Sequence, residues 1–202
     1  RIGGAPFAVG GMVLGAASFL ALMLLPADFS YAVFAFLLFA NGLGSGLFVA
    51  PNSTQIMNAV PMQERGQASG VRATTGNAGQ VLSIGIFFSL MLAGLAATLP
   101  QAMEAQLLAQ RVPANVAHEV AGLPPVASLF AAFLGYNPMS ELIPAAVLRS
   151  LPAENAAALT GNAFFPELMS APFKQGLLFA FTFSAVLYLL SAFASWGGGF
   201  PK

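Results

Sequence analysis

Cysteine is absent from this sequence, and charged residues are scarce. Without cysteine there can be no disulfide framework, thiolate metal site or cysteine nucleophile, and the redox compartment is left open. Only 7% of the 202 residues are charged, whereas an ordinary soluble domain carries about a quarter. Because 57% of the residues are hydrophobic, water is not expected to be the main solvent of this chain.

An excess of charge of either sign is also missing. Seven basic residues balance seven acidic ones, so the sequence provides neither a basic field for nucleic acid nor an acidic tail. The chain begins at Arg1 without a methionine, and its first apolar run is longer than the core of a signal peptide. We therefore interpret the chain as truncated at its N-terminus and exclude nucleic acid as a partner.

Long uncharged runs predict an all-α membrane protein of about four transmembrane helices. The first run has nineteen residues, which at about 1.5 Å per residue extend about 29 Å, close to the thickness of a bilayer's hydrocarbon core. Apolar side chains each favour insertion by about 0.3 to 0.6 kcal/mol, and the first run contains no charge that opposes them. The predicted spans are residues 7–25, 31–52, 67–99 and 173–196.

The segment between the last two predicted spans, residues 100–172, holds the single histidine, His118, and most of the carboxylates. We predict an extramembrane helical hairpin with short helices such as residues 101–110 and 153–160. Residues 121–134 are apolar but too short to cross, and they contain two adjacent prolines, which favours an interfacial or re-entrant position.

The short loops indicate an orientation. Arg65 and Arg72 lie in or beside the loop that follows the second span, whereas the turn after the first span carries only Asp28. Because basic residues of short loops favour the cytoplasm, both termini and residues 61–66 are predicted to be cytoplasmic. Residues 100–172 then face outward, and residues 197–202 form a cytoplasmic tail.

Polar residues recur on one face of the second predicted span, at Asn41, Ser45 and Asn52. Polar groups are unfavourable in hydrocarbon, so this face should avoid lipid. Two interpretations of Asn41 are left open: it lines a water-accessible translocation pathway, or it forms a hydrogen bond between packed helices. Nearby glycines favour close helix packing through Gly42-x-x-x-Gly46 over a hinge.

The early half of the third span carries a polar stripe. Ser69, Arg72, Gly76, Gln80 and Ser83 fall within about 80° of one another at about 100° per residue, and Asn77 lies about 60° beyond. Arg72 can reach the membrane boundary by snorkelling, or it can contact a substrate or gate. Because Asn77 and Gln80 lie deeper, they are with Asn41 and Ser45 the candidates for a substrate pathway.

The loop before the third span contains a compact polar group, Glu64, Arg65 and Gly66. Together with Arg72, these residues are candidates for gating, because charge-assisted hydrogen bonds can lock neighbouring helix ends and break when a bundle moves. The alternative is a plain polar turn. His118 is interpreted as a surface or packing residue, and no motif indicates an enzyme, a metal site or a cofactor.

Several of these motifs together resemble the major facilitator superfamily, in particular its fourteen-span drug:proton antiporter branch. Arg1-Ile2-Gly3 looks like the end of a cytoplasmic loop motif that recurs in the C-terminal half of that branch. The segment joining two late helices of the branch is similar to the run that contains Pro51, Asn58, Val60-Pro61, Arg65-Gly66, Ala68-Ser69-Gly70, Asn77 and Gly79-Gln80. The resemblance covers the last four helices of such a protein.

The resemblance implies a multi-pass transporter of the bacterial inner membrane that exports drugs or other amphipathic organic compounds by proton-coupled alternating access. Its partners would be the lipid bilayer, small organic substrates, protons and the missing N-terminal half, where most coupling carboxylates of the family lie. The alternatives are a facilitator of sugars or metabolites, a membrane scaffold, and an intramembrane enzyme using Ser45.

Overall fold

The structure is a computed structural model that describes residues 4–26 and 28–198. The described residues are helical and contain no strand, which confirms the all-α prediction. The α-helices run in the order Ala5–Met23 (α1), Tyr31–Asn58 (α2), Arg65–Ala109 (α3), Ala114–Ala121 (α4), Pro125–Phe133 (α5), Met139–Leu142 (α6), Ala145–Ser150 (α7), Ala153–Thr160 (α8) and Phe164–Gly198 (α9). A 3-10 turn at Met62–Glu64 precedes α3.

Among the described residues, four helical segments are long and apolar enough to cross a membrane: α1, α2, α3 with the turn before it, and α9. The short helices α4 and α5 form a fifth candidate if they are counted together, although they meet at a bend of 84°. Residues 1–3, which carry the loop motif, and residues 199–202 of the predicted tail lie outside the described part.

Three of the long helices extend well beyond the predicted spans. One is α2, which was predicted to end at residue 52 and continues to Asn58. α3 continues through Pro100, so residues 101–110 belong almost entirely to its last turns instead of forming a separate helix. α9 begins before the predicted start at residue 173 and contains Pro172. At about 1.5 Å per residue, α3 is about 68 Å long, more than twice the thickness of a hydrocarbon core. Its uncharged middle and its polar ends therefore suit different surroundings.

The described residues form two compact units, of which the first is made up of the described residues before 89 and after 179 and the second of residues 89–179. In the first unit, α1 and α2 cross at glycines. A Cβ atom on Gly44 would lie 2.6 Å from the carbonyl oxygen of Gly11, so only glycine allows this approach. Apart from the adjacent residues and the nearby backbone of α2 itself, no described atom lies within 4 Å of a Cβ built on Gly42 or Gly46. The close packing predicted for Gly42 and Gly46 therefore occurs at Gly44 instead.

The second unit packs around one face of α3. Leu95, Leu99, Met103 and Leu107 recur every fourth residue and are each no more than 2% exposed. The core is completed by residues from the short helices and α9, among them Leu129, Met139, Ile143, Leu159 and Phe165. α3 and α9 cross at a second glycine pair, since a Cβ on Gly94 would lie 2.7 Å from the Cα of Gly176.

Amide side chains close the second unit. Asn137 donates to the carbonyl oxygens of Leu159 and Gly161, at 2.8 Å each, and its own oxygen accepts from the amide of Met139. The Asn137 side chain thereby ties the start of α6 to the end of α8. The helix expected at residues 153–160 coincides with α8, and the segment before α9 is ordered by specific contacts.

Candidate functional site

A cavity with a volume of about 560 Å³ lies in the first unit. Parts of three long helices form its walls. α1 contributes Phe19, and the other lining residues include Gly79, Leu82, Ser83, Ile86 and Phe87 from α3 and Phe183, Ser184, Leu187 and Tyr188 from α9. Drug-sized ligands occupy cavities of about 300 to 1,000 Å³.

Aromatic contacts hold these walls together. The ring of Phe19 lies 5.6 Å from that of Phe181 and 5.7 Å from that of Tyr188, and Phe87 lies 6.0 Å from Phe181. Tilted ring pairs at such distances are favourable beyond the area that they bury. Phe19 therefore connects α1 to α9, and α9 in turn connects to α3.

Gly15 sets the position of the Tyr188 ring. A Cβ on Gly15 would lie 2.6 Å from Cδ1 of that ring, closer than any side chain could accept. The ring thus packs directly against the backbone of α1, and a larger residue at position 15 would push it toward the cavity. Gly15 also contacts α2, because its carbonyl oxygen accepts a long hydrogen bond of 3.5 Å from Asn41 Nδ2.

Polar groups are few among the lining residues. Ser83 Oγ donates to the carbonyl oxygen of Gln80 and Ser184 Oγ to that of Ala180, each at 2.9 Å. Since both hydroxyl protons are engaged by the backbone, these oxygens offer a ligand acceptor lone pairs. No lining residue is charged. The site therefore suits a mainly apolar or aromatic molecule with few hydrogen-bonding groups.

The pathway candidates occupy different surroundings. Asn41 and Ser45 are half-buried on α2, beside the crossing with α1, whereas Asn77 and Gln80 are exposed on α3. Among the described residues, no hydrogen bond joins one pair to the other. Gln80 adjoins the cavity through its backbone, which accepts the bond from Ser83.

The gating candidates lie at the junction of α2 and α3. The guanidinium of Arg72 donates to Ser53 Oγ at 3.0 Å, and that hydroxyl donates to the carbonyl oxygen of Val49 at 2.7 Å. Arg65 Nε donates to the carbonyl oxygen of Val60 at 3.5 Å. Glu64 and Gly66 are exposed beside it. Arg72 is thus the candidate that connects the two long helices.

Sequence reasoning did not find the aromatic cavity. Phe19, Phe87 and Tyr188 lie on helices rich in phenylalanine and leucine, where a ring in a cavity wall and a ring facing lipid have the same pattern. The small residue Gly15 was equally uninformative, because glycines are frequent throughout the chain. Only the packing of α1 against α9 distinguishes these residues.

His118 contacts Glu104, with 3.5 Å between Nδ1 and Oε1, and its side chain is largely exposed. In the part of the chain that the structure describes, no group of three histidine or carboxylate side chains could hold a metal ion. Comparison with known proteins finds no matching protein-family model, curated protein or solved structure.

Proposed function

We propose that this chain is part of a secondary active transporter of the major facilitator type, which exports drugs or other amphipathic organic compounds by proton-coupled alternating access. The observation that carries the proposal is the uncharged aromatic cavity formed by parts of α1, α3 and α9.

The surroundings of the long helices support a place in the membrane. Large apolar side chains stand exposed along them, including Phe36 and Phe39 on α2 and Leu190 and Phe193 on α9. Soluble proteins rarely leave such extended apolar surface in water. A lipid bilayer, which we take to be a bacterial inner membrane, covers it without penalty.

The lining of the cavity favours amphipathic compounds over sugars. A sugar presents many hydroxyl groups, and a site that buries them must supply a partner for each. Here the polar side chains of the wall are Ser83, Ser184 and Tyr188, and phenyl rings make up much of the rest. Stacking and apolar contact are consequently the main means of recognition.

Two further features suit a helical bundle that changes conformation. Asn77 and Gln80 are exposed amides on an apolar helix, and an unpaired amide in hydrocarbon costs several kcal/mol, so water or further helices must cover them. The bond from Arg72 to Ser53 joins α2 to α3 through a charge-assisted contact that can break and reform. The resemblance assigns most coupling carboxylates to the N-terminal half of such a transporter.

Transport by the full reading frame that contains this chain tests the proposal. The protein is reconstituted into liposomes, a proton gradient is imposed, and the movement of N-phenyl-1-naphthylamine is followed by its fluorescence. We expect flux that requires the gradient. Flux that is the same with and without the gradient would contradict proton-coupled export.

A matched pair of substitutions tests the cavity. Gly79 lines it and Gly85 does not, yet both lie on α3 with no described atom within 4 Å of a Cβ. Gly79→Phe should fill the cavity and lower the rate of transport at least about tenfold, which corresponds to about 1.4 kcal/mol. Gly85→Phe should leave the rate nearly unchanged. Equal rates in the two variants would remove the cavity from the mechanism.

A further inference from the structure

The helix α5 and the turn after it present an exposed surface that is apolar throughout. Phe130, Phe133 and Leu134 are 56%, 64% and 81% exposed, and Val126 and Tyr136 are exposed beside them. No charged residue occurs between Glu119 and Glu141. Exposed apolar surface of this kind marks a place of contact.

The neighbouring helix α4 has the opposite character. It buries Val116, Ala117 and Val120 and turns the polar residues His118 and Glu119 outward, as a helix on a water-facing surface does. α5 buries Ser128 and Leu129 and still exposes apolar rings on its outer face. Because the chain bends by 84° between α4 and α5, the outer faces of the two helices lie in different surroundings.

The position of α5 beside α9 indicates which surroundings these are. The ring of Phe133 contacts that of Phe173 edge to face at 6.0 Å, and α5 packs along the turns of α9 from Pro166 to Phe173. Lys174 follows directly, and after it α9 carries no charge up to its described end. α5 therefore lies where α9 changes from a charged to an uncharged helix.

The charges of α3 indicate a similar position for the membrane boundary. The crossing of Gly94 with Gly176 aligns the two helices. From this crossing, Glu104 is the first charge on α3, about 15 Å away at about 1.5 Å per residue, and the α9 turns beside α5 lie about 5 to 15 Å away. This band corresponds to the boundary between hydrocarbon and headgroups in a membrane-spanning bundle.

The end of α5 is built for such a boundary. Gly135 has a φ of +66°, and its amide and that of Tyr136 donate to the carbonyl oxygens of Ala132 and Ala131. These bonds satisfy backbone groups that would otherwise need water. The Glu141 carboxylate, which accepts a hydrogen bond from the phenol, raises the pKa of Tyr136. Tyrosine is enriched at the interface between a membrane and water.

We infer that residues 125–136 form an interfacial anchor that lies in the headgroup boundary of the bilayer, with Phe130, Phe133 and Leu134 inserted among the upper parts of the acyl chains. The helix α5 has nine residues, about 14 Å, and is too short to cross. The inference rests on the membrane location in the proposed function, but not on transport. The anchor would hold the second unit against the membrane at the outer end of α3 and α9.

Tryptophan fluorescence in reconstituted vesicles of phosphatidylcholine tests the anchor. The 202 residues contain one tryptophan, Trp196, so in the full-length protein Trp196→Phe together with replacement of every upstream tryptophan by phenylalanine gives a background without tryptophan, and a matched protein retains Trp196 alone. Leu134→Trp reports on the anchor, and Ala153→Trp reports on an exposed position of α8 as the control. We expect iodide to quench Leu134→Trp at least about threefold less than Ala153→Trp. Lipids brominated near the headgroup should quench it more than lipids brominated near the chain end.

Each other result overturns the anchor. Equal quenching of both reporters by iodide would place α5 in water, and stronger quenching by deep bromines would make it a re-entrant segment. Protection from both iodide and brominated lipids would mean that protein covers the surface. Native Trp196 provides the separate check of membrane location: if brominated lipids do not quench it, the proposed function fails, whereas failure of Leu134→Trp alone removes only the anchor.

Discussion

Two amides that resemble one another in the sequence have different surroundings in the structure. Asn41 is half-buried and donates to the carbonyl oxygen of Gly15 on another helix. Gln80 is exposed on α3 and directly follows Gly79, which lines the cavity. For Asn41 the sequence left open whether the side chain bonds to a neighbouring helix or lines a pathway. The structure favours the first role for Asn41 and the second for Gln80, and the two roles predict different effects of substitution.

Replacing each amide by leucine tests this difference. Gln80→Leu should keep the thermal stability of the purified protein while it changes which compounds are exported, because a wet polar group becomes an apolar one. Asn41→Leu should lower stability by about 0.6 kcal/mol, the average for a hydrogen bond between membrane helices, since its contact with Gly15 is long. A clear loss of melting temperature for Gln80→Leu with an unchanged export profile would show that Gln80 is a packing residue.

At the scale of whole helices, α1 and α2 are joined by glycines whose roles the sequence cannot rank. Gly42, Gly44 and Gly46 are separated by about 200° per step around the helix, so at most some of them can face one neighbour. The spacing of Gly42 and Gly46 is that of a packing motif, but α1 contacts Gly44. The face of α2 that meets α1 is decided by the packing.

Alanine substitutions at two of these glycines form a matched pair. Gly44→Ala should destabilise the protein by about 1 to 3 kcal/mol, because the added methyl group meets the backbone of α1. Gly42→Ala, where the added group meets open space, should be neutral or stabilising, since alanine favours helix by up to about 1 kcal/mol over glycine. Thermal unfolding in one detergent measures both. Equal losses would mean that the crossing of α1 and α2 lies elsewhere.

For the molecule as a whole, the distribution of charge predicts the orientation in the membrane. The 202 residues contain no cysteine, so in a full-length protein whose upstream cysteines are replaced by serine a single introduced cysteine is a unique label. Ala153→Cys lies in α8 of the segment predicted to face outward, and it should react with a membrane-impermeant thiol reagent added to intact cells. The physical reason is the concentration of arginine in the short loop between α2 and α3.

The control for orientation is Met62→Cys, at an exposed position of the turn before α3. It should react only after the cells are lysed, because that turn is predicted to be cytoplasmic. The reverse pattern, with Ala153→Cys protected and Met62→Cys labelled in intact cells, would invert the orientation and place the anchor on the cytoplasmic side.

The sequence alone was sufficient for the helical class and for the number of long apolar helices. Both depend on composition and on the length of uncharged runs, such as residues 7–25, and these act locally along the chain. The starts of α1 and α2 were placed within two residues. The end of α3 and the start of α9 were not, because Pro100 and Pro172 read as breaks, while the core of the second unit keeps both helices continuous.

The candidate cavity and the proposed anchor depend on tertiary structure. Phe19 and Tyr188 are far apart in sequence, and their contact requires that α1 expose Gly15 to α9, which no local pattern encodes. The apolar stretch at residues 121–134 favoured an interfacial or re-entrant position, and its place beside Phe173 follows from packing alone. Apolar character is a property of each residue and can be read along the chain, whereas the face that an apolar helix turns to its neighbour is selected by the shapes of both.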